Sequence, residues 1–489
     1  MSTVGLSAWG AYVPRLRLQR KAVTAANAWI APNLAGKGRG ERAMANWDED
    51  SLTMAVEAAR DALGPGDDRG HVGGVYFAST TAPFADRLNA GILSAALVLD
   101  KSASSTDITG SQRAGLTALA QALSAVKAGA AKTALVAAGE HRRARAASAA
   151  ELDFGDAAAA FLVSGADTVA DFLGHGALTA DFVDHFRGSD SEFDYGWEER
   201  WIRDEGIIKL VPPAINDALK AAGISGEQVT HFCFPSTFAG MAANLAKVCG
   251  LPAGSVRDNL AAVAGEAGSA HALVMLAHAL EEAKAGDIIL AVQFGQGAEA
   301  LVFRVTERVA TQRPARGVTG SLADRKEESN YLKFLFFNDL VQWDKGMRAE
   351  KDNKTALTTL YRNSDMILGL VGGRCTETGV VQFPRTRISV SPNKSTVDTQ
   401  EPYHFAERKA KVLTWSADYL TFAMAPPNHY GMVDFEGGGR IFMDITDVEP
   451  GDVDTGLPVK MVFRVKEVDQ VRGFKRYFWK ATPDRSAVA

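Results

Sequence analysis

Leu119-Ala-Gln-Ala-Leu-Ser-Ala-Val-Lys-Ala-Gly129 returns later in the chain as Leu276-Ala-His-Ala-Leu-Glu-Glu-Ala-Lys-Ala-Gly286. Both copies carry apolar residues at helical spacing. Each is followed by an apolar run that suits a buried strand, 133–138 and 288–294. A Gly-rich turn then leads into a second run: Gly155-Asp-Ala-Ala-Ala-Ala-Phe-Leu-Val163 in one case, Gly295-Gln-Gly-Ala-Glu-Ala-Leu-Val-Phe303 in the other. Ala-rich helices resemble one another by chance, but here the following strands match too. The same elements in the same order predict two similar halves, about 1–165 and 166–308.

Outward from the repeat, Ser51-Leu-Thr-Met-Ala-Val-Glu-Ala-Ala-Arg-Asp-Ala-Leu63 reads as an amphipathic helix and Gly74-Val-Tyr-Phe-Ala-Ser79 as a buried strand. Helix and strand alternate, so residues 1–308 read as α/β layers. Composition shifts near residue 310. Residues 309–330, polar and broken by Gly and Pro, read as a linker. After a helical stretch around Tyr331 to Trp343, residues 331–489 read as mostly β, with Lys411-Val-Leu-Thr-Trp415, Arg440-Ile-Phe-Met-Asp-Ile445 and Val459-Lys-Met-Val-Phe-Arg-Val465 as strands.

Composition excludes several function classes. Of 489 residues, 46% are hydrophobic and 23% charged, as in ordinary folded proteins. A formal charge of −5 leaves no basic surplus for a nucleic-acid backbone. No apolar run reaches the roughly 18 residues of a membrane span. The start has neither a basic region nor an apolar one that would mark secretion, so the sequence reads as cytoplasmic. Cys233, Cys249 and Cys375 are isolated and form neither a disulfide framework nor a CxxC pair.

Each repeat helix is preceded by small residues, Thr109-Gly-Ser-Gln-Arg-Ala-Gly115 and Ala264-Gly-Glu-Ala-Gly-Ser-Ala270. Tight helix packing alone would ask for such residues. Helix N-termini at these points would also offer free backbone N–H groups to an anion, including a developing enolate, with Gln112 and Glu266 beside it.

The first ~305 residues resemble the 3-hydroxy-3-methylglutaryl-CoA synthase branch of the thiolase-fold condensing enzymes. The matching residues are Gly10-Ala-Tyr-Val-Pro-Arg15, Asp48-Glu-Asp-Ser-Leu-Thr-Met54, Thr106-Asp-Ile-Thr-Gly-Ser-Gln-Arg-Ala-Gly115, Phe154-Gly-Asp-Ala-Ala-Ala-Ala-Phe161 and Phe193-Asp-Tyr-Gly-Trp-Glu-Glu-Arg-Trp-Ile-Arg203. The resemblance implies a duplicated α-β-α-β-α fold, a coenzyme A thioester substrate, no tightly bound cofactor, and a homodimer.

The family's chemistry carries over less well. Its nucleophilic cysteine falls on Gln112, or alternatively Ser111, and a carboxamide forms no acyl-enzyme. Its histidine falls on Pro235 or Ser236, because His231 comes too early and belongs to the strand. Its general-base glutamate falls near Thr80-Thr-Ala-Pro83, where no acid stands before Asp86. The related ketosynthases' Gly-Asn turn is Gly265-Glu266 here. Gly110, Ser111 and Gly265 are candidate substrate-binding positions around this site, and by resemblance Tyr195 and Trp197 are candidates for lining an acyl pocket.

Residues 331–489 resemble the acyl-CoA-associated OB-fold family, a zinc ribbon followed by a β-barrel. The resemblance rests on Gln382-Phe-Pro-Arg385, on Ala425-Pro-Pro-Asn-His-Tyr-Gly-Met-Val-Asp-Phe-Glu436 and on Gly456-Leu-Pro-Val-Lys-Met-Val-Phe463. The ribbon needs four thiolates. Only Cys375 remains, with no Cys at 388–393, so no metal is expected.

Two functions are therefore expected. One is an enzyme that makes or breaks a C–C bond beside a thioester through an enolate (retro-aldol, retro-Claisen or decarboxylation), with catalytic Gln112, Glu266 and Ser236. Glu266 would act as base or acid with a carboxyl pKa raised by desolvation. The other is a non-catalytic subunit whose OB domain docks a separately encoded thiolase-type partner. Arg142-Arg-Ala-Arg145 could meet coenzyme A phosphates or simply be solvated, and His271 could face the pocket or the helix bundle.

Overall fold

The two repeated segments form the helices Ala114–Lys127 and His271–Glu282 in a computed structural model that describes residues 3–485. The first domain contributes β1 (Gly5–Tyr12), β2 (Leu16–Gln19), β3 (Glu41–Met44), β4 (Gly74–Ala78), β5 (Ser104–Ile108), β6 (Thr133–Glu140), β7 (Ala157–Ser164) and β8 (Ala170–Thr179). The short pair β9 (His185–Phe186) and β10 (Tyr195–Gly196) follows, then β11 (His231–Cys233), β12 (Ile288–Phe294) and β13 (Gly297–Val305). The main sheet runs β5-β4-β6-β7-β1-β8-β13-β12-β11. Only Gly5↔Asp171 and Leu6↔Ala170 join β1 to β8. The order mirrors itself about that junction, as a duplicated fold requires.

Apolar periodicity decides the layers. The repeat helices are buried on most sides and lie between the halves: the first packs on β4, β6 and β7 and reaches β13, and the second packs on β11 and β12 and reaches β7. Outside them, Ser51–Leu63 covers β1, β6 and β7, and Ile208–Ala222 covers β8 and β13. The result is the α-β-α-β-α order of a thiolase-like fold. Small residues set its closeness. A Cβ on Gly115 would lie 2.2 Å from the Ser269 carbonyl oxygen, so the two repeat helices meet almost backbone to backbone. Gly265 has φ +83°, and a Cβ there would lie 2.6 Å from the Phe154 oxygen.

Residues 309–330, read from the sequence as a linker, contain regular structure. They hold the helix Gly317–Ala323, which packs on β1 and the second repeat helix, and β14 (Lys326–Glu328), which adds to β2. The helix Tyr331–Phe337 buries Tyr331, Phe334 and Leu335 against Leu16, Leu18 and Val23. The first domain's packing therefore runs on past residue 308.

The second domain has a ribbon of β15 (Val371–Cys375), β16 (Val381–Gln382) and β17 (Gln400–His404), then the barrel strands β18 (Ala410–Asp418), β19 (Asn428–Phe435), β20 (Arg440–Asp444), β21 (Pro458–Asp469) and β22 (Phe474–Pro483). The barrel sheet is antiparallel in the order β20-β19-β18-β21-β22, and a bridge from Ile445 to Ala481 brings its ends together. One apolar cluster spans both domains, joining Leu52, Val56 and Ala59 to Val459, Phe463 and Trp479. Around it, Asp48 pairs with Lys480 at 2.8 Å, Glu49 with Arg464, and Asp50 accepts from Tyr477 Oη at 2.8 Å. Asp50 also caps the helix Ser51–Leu63 in a capping box with Thr53. The motif Asp48-Glu-Asp50 is thus the seat of the barrel.

Cys375 Sγ lies 3.3 Å from Thr396 Oγ1 and 3.2 Å from Thr399 Oγ1, with Thr378 on its own knuckle. The second knuckle is therefore Thr396-x-x-Thr399, later than the 388–393 expected from the sequence. Cys375-x-x-Thr378 and Thr396-x-x-Thr399 keep the paired spacing of a four-thiolate site, with three hydroxyls in place of thiols. Hydroxyl and thiol hydrogen bonds hold the turns. Replacing Thr378, Thr396 and Thr399 together by Cys should create a tetrahedral zinc site. Metal analysis after dialysis should find about one zinc per variant chain; a zinc-free variant would refute the knuckle assignment.

Candidate active site

The loops before the two repeat helices meet where the duplication predicts. Ser111 Oγ donates to the Gly295 carbonyl at 2.8 Å and accepts from Arg113 N–H, fixing the first helix start against the β12–β13 turn. Gln112 is buried there, and its backbone N–H has no acceptor among the described residues. Gly110 is exposed with φ +89°. Gln112 Nε2 lies 3.2 Å from His185 Nε2, and His185 Nδ1 lies 2.7 Å from Asp184 Oδ2. With Nδ1–H donated to Asp184, Nε2 is the acceptor of the Gln112 amide. Gln112 Oε1 is buried without a donor.

The second helix start is occupied by the chain itself. Glu140, fully buried at the end of β6, accepts from Ser269 N–H at 3.2 Å and Ser269 Oγ at 2.5 Å. It also accepts from Thr80 N–H and Oγ1, both at 3.1 Å, and from Thr81 Oγ1. A carboxylate at a helix N-terminus satisfies the donors an external anion would use. The predicted pair of amide clusters thus converges, with only the first left open.

Glu266 does not carry the raised pKa expected of it. Burial pushes its carboxyl up, but the Arg142 guanidinium and the Gly268 N–H hold it well below the usual carboxylate range. Arg142 is the decisive partner. Its Nη1 is 2.7 Å from Glu266 Oε2, whereas His271 Nδ1 is 3.8 Å from Oε1 and already accepts from Ala267 N–H. Neither side of this pair is poised to exchange protons near neutral pH. His271 Nε2 donates to Asn259 O at 2.7 Å, so both ring nitrogens are committed and the residue faces the bundle.

Arg142 is neither solvated nor free for phosphate. Buried and stacked 3.7 Å from the Phe154 ring centroid, it also binds Asp194 through Nε at 3.0 Å and Nη2 at 2.8 Å. Arg143 pairs with Glu192 at 3.3 Å, and Arg145 stacks on Phe193. All three arginines grip the β9–β10 hairpin, and Arg187 Nη1 adds a 2.7 Å bond to Asp194. The hairpin is what delivers His185 to Gln112.

The remaining candidates lie apart. Ser236 follows β11, accepts from Phe238 N–H at 3.1 Å, and lines a cavity of about 620 Å³ with Arg20, Lys37, Arg39 and Arg257; no hydrogen bond joins it to Gln112 or Glu266. Tyr195 and Trp197, on the hairpin, are 57% and 58% exposed, and Tyr195 packs on Phe186. His231 is on β11, bonded to Asp287. Burial pushes the Cys233 thiol up to about 12, so this cysteine is not a thiolate near neutral pH. Sequence reasoning missed His185 and Glu140. The Asp184-His185 pair was the available signal for the first, and Glu140 closes an apolar strand that leads straight into Arg142.

The comparisons agree with this architecture. The family described as "ChsH2, C-terminal OB-fold domain" matches residues 403–464. A hydroxymethylglutaryl-CoA synthase of Caldivirga maquilingensis is 26% identical over 346 residues, 69% of this chain and 98% of the relative. One of Methanocella arvoryzae is 28% identical over 308 residues, 62% and 88% of the two chains. MvaS in complex with 3-hydroxy-3-methylglutaryl coenzyme A superposes with a TM-score of 0.57 at 19% identity, covering 70% of this chain and 93% of its own. 3-Oxoacyl-(acyl carrier protein) synthase III from Pseudomonas aeruginosa gives 0.55 at 20%, covering 62% and 98%. The chain has a thiolase-like fold, similar in sequence to hydroxymethylglutaryl-CoA synthases, joined to a C-terminal OB-fold domain.

Glu266→Gln should lower stability at neutral pH by about 3 kcal/mol, because it strands part of the Arg142 charge. The folded carboxyl sits below its ordinary 4.5, so its contribution is full above that pH and fades as pH falls towards about 2. Thermal unfolding of both proteins at neutral pH and near pH 3 should show the gap narrowing in acid; a constant gap would contradict the ion pair.

Proposed function

We propose that this chain binds an acyl-CoA and makes or breaks a C–C bond next to the thioester through an enolate, with no acyl-enzyme. One observation carries the reading: the hydrogen-bonded chain Gln112–His185–Asp184 at the open end of the first repeat helix. It supplies an oriented imidazole from the hairpin, which the residues at 235 and 236 cannot. In a retro-aldol cleavage, the substrate's 3-hydroxyl group displaces the Gln112 amide from His185 Nε2, and the lone pair so freed takes the hydroxyl proton. The O–H electrons form the new carbonyl, the Cα–Cβ pair passes to the thioester oxygen, and the resulting enolate takes its proton back at Cα. The free Gln112 N–H is the donor available to that oxygen. Gln112 orients the imidazole before the substrate binds, and Asp184 stabilises its charged form. The Ser236 cavity, where Arg39 forms no ion pair among the described residues, suits the phosphates of coenzyme A. Glu266 is a positioning residue in this scheme, through Arg142 and the hairpin.

A second reading has its own support. Glu140 fills the second helix N-terminus, and Arg142, Arg187, Asp194 and Glu266 satisfy one another. A chain kept for substrate handling, whose barrel docks a thiolase-type partner, would show such a self-satisfied interior.

Mass spectrometry of the isolated chain with a panel of 3-hydroxyacyl- and 3-oxoacyl-CoAs separates the two. The catalytic reading expects cleavage products without a protein adduct, and a rate loss of about 10²-fold or more in His185→Ala. Gln112→Ala should lose rate as well. No turnover of any thioester, together with copurification of a partner whose activity survives both substitutions, would establish the scaffold instead.

A further inference from the structure

Between the two domains, away from Gln112 and His185, lies a second cavity of about 440 Å³. Its wall includes Arg87 of the first domain, Lys354 and Thr355 of the segment between the helix Tyr331–Phe337 and β15, and Arg476 of β22. Its floor is apolar, from Leu360, Ile367, Leu368 and Phe478. Arg87 is the unusual member. Its guanidinium lies between two rings, 4.6 Å from the Phe84 centroid and 4.9 Å from that of Phe474. Its Nη1 is buried with no acceptor among the described residues, and Thr355 Oγ1 in the same wall is buried without a partner. Burial depresses the Arg87 pKa, and the neighbour opposing that pull is Tyr477 rather than a carboxylate.

The other charges do not fill the gap. Lys466 pairs with Asp444 at 2.6 Å, Lys475 with Asp50 at 3.2 Å, and Arg476 with Glu467. Arg87 and Lys354 remain without an ion-pair partner among the described residues. A half-buried guanidinium with one unpaired N–H group beside an apolar floor suits an anionic guest with an apolar chain. The volume is that of a small-molecule site.

We propose that this interdomain cavity binds a small molecule with an anionic head, carboxylate or phosphate, on an apolar chain. The head is held by Arg87 and Thr355, with Lys354 at the mouth, and the chain lies on Leu360, Ile367 and Phe478. Such a guest bridges three separate segments, so its binding also strengthens the seating of the barrel. The site does not depend on the chemistry assigned to Gln112 or His185.

Calorimetric titration of the full chain tests this with decanoate, decyl phosphate, decanol and inorganic phosphate, each below its aggregation threshold. The expected result is saturable binding of decanoate or decyl phosphate, and the tighter of the two identifies the head. Arg87→Gln should weaken it about tenfold or more, Thr355→Val should weaken it less, and Arg87→Lys should retain part of it. Thermal melts with and without the same probes should show an upshift in the wild type that Arg87→Gln loses. If Arg87→Gln does not fold, the Thr355→Val and Arg87→Lys pair decides. No saturable binding by about 1 mM, decanol binding as tightly as the acids, inorganic phosphate binding as tightly as decyl phosphate, or affinities unchanged in the variants would each overturn the proposal.

Discussion

A single buried guanidinium sets the terms for the centre of the first domain. Arg142 stands at the end of an apolar strand, stacked on Phe154, where an unpaired charge would be strongly destabilising. Glu266 arrives from the turn before the second repeat helix and Asp194 from the hairpin, one from each side. Compensation of one charge therefore joins three segments that are far apart in sequence. A carboxylate at 266 reads naturally as a base or acid, yet here it balances the charge of Arg142. Its ionisation is locked, and the hairpin is held in place as a result.

The two helix starts are related by duplication but have become chemically unequal. At the first, Ser111 ties the loop to Gly295 and leaves the Gln112 N–H open. At the second, Glu140 has taken the donors. Local symmetry of the backbone does not fix what occupies it. With a carboxamide at the first start and a carboxylate at the second, the two starts offer different chemistry to whatever lies between them.

Much of the fold was legible because burial writes periodicity into sequence. The helix at 51–63 and the strands at 74–78, 133–140 and 288–294 follow apolar patterns that only their layers explain. The repeat gave the pairing of halves. His185 was hidden for the opposite reason: a two-residue strand in an irregular hairpin has no period to detect. Arg142 was misjudged because a run of arginines looks solvated until the acids that face it, at 192 and 194, are placed in space. The segment 309–330 looked like a tether because its few apolar residues, among them Val318, are spaced too widely to show a pattern, though Val318 is buried. In the ribbon the spacing of paired knuckles survived while the element that usually marks them did not, so a search for cysteine passed over the threonines.

The apolar cluster shared by the helix at 51–63 and the barrel has a mechanical consequence. Side chains from both bodies complete one close-packed interior, so the barrel cannot lift away without opening water-exposed oily surface on each. Melting should proceed as one cooperative event rather than two. Whatever the barrel grips is presented to the rest of the molecule at one distance and in one orientation, as by a fixed jig and not a swinging arm, and its reach is set by rigid geometry instead of by chain length.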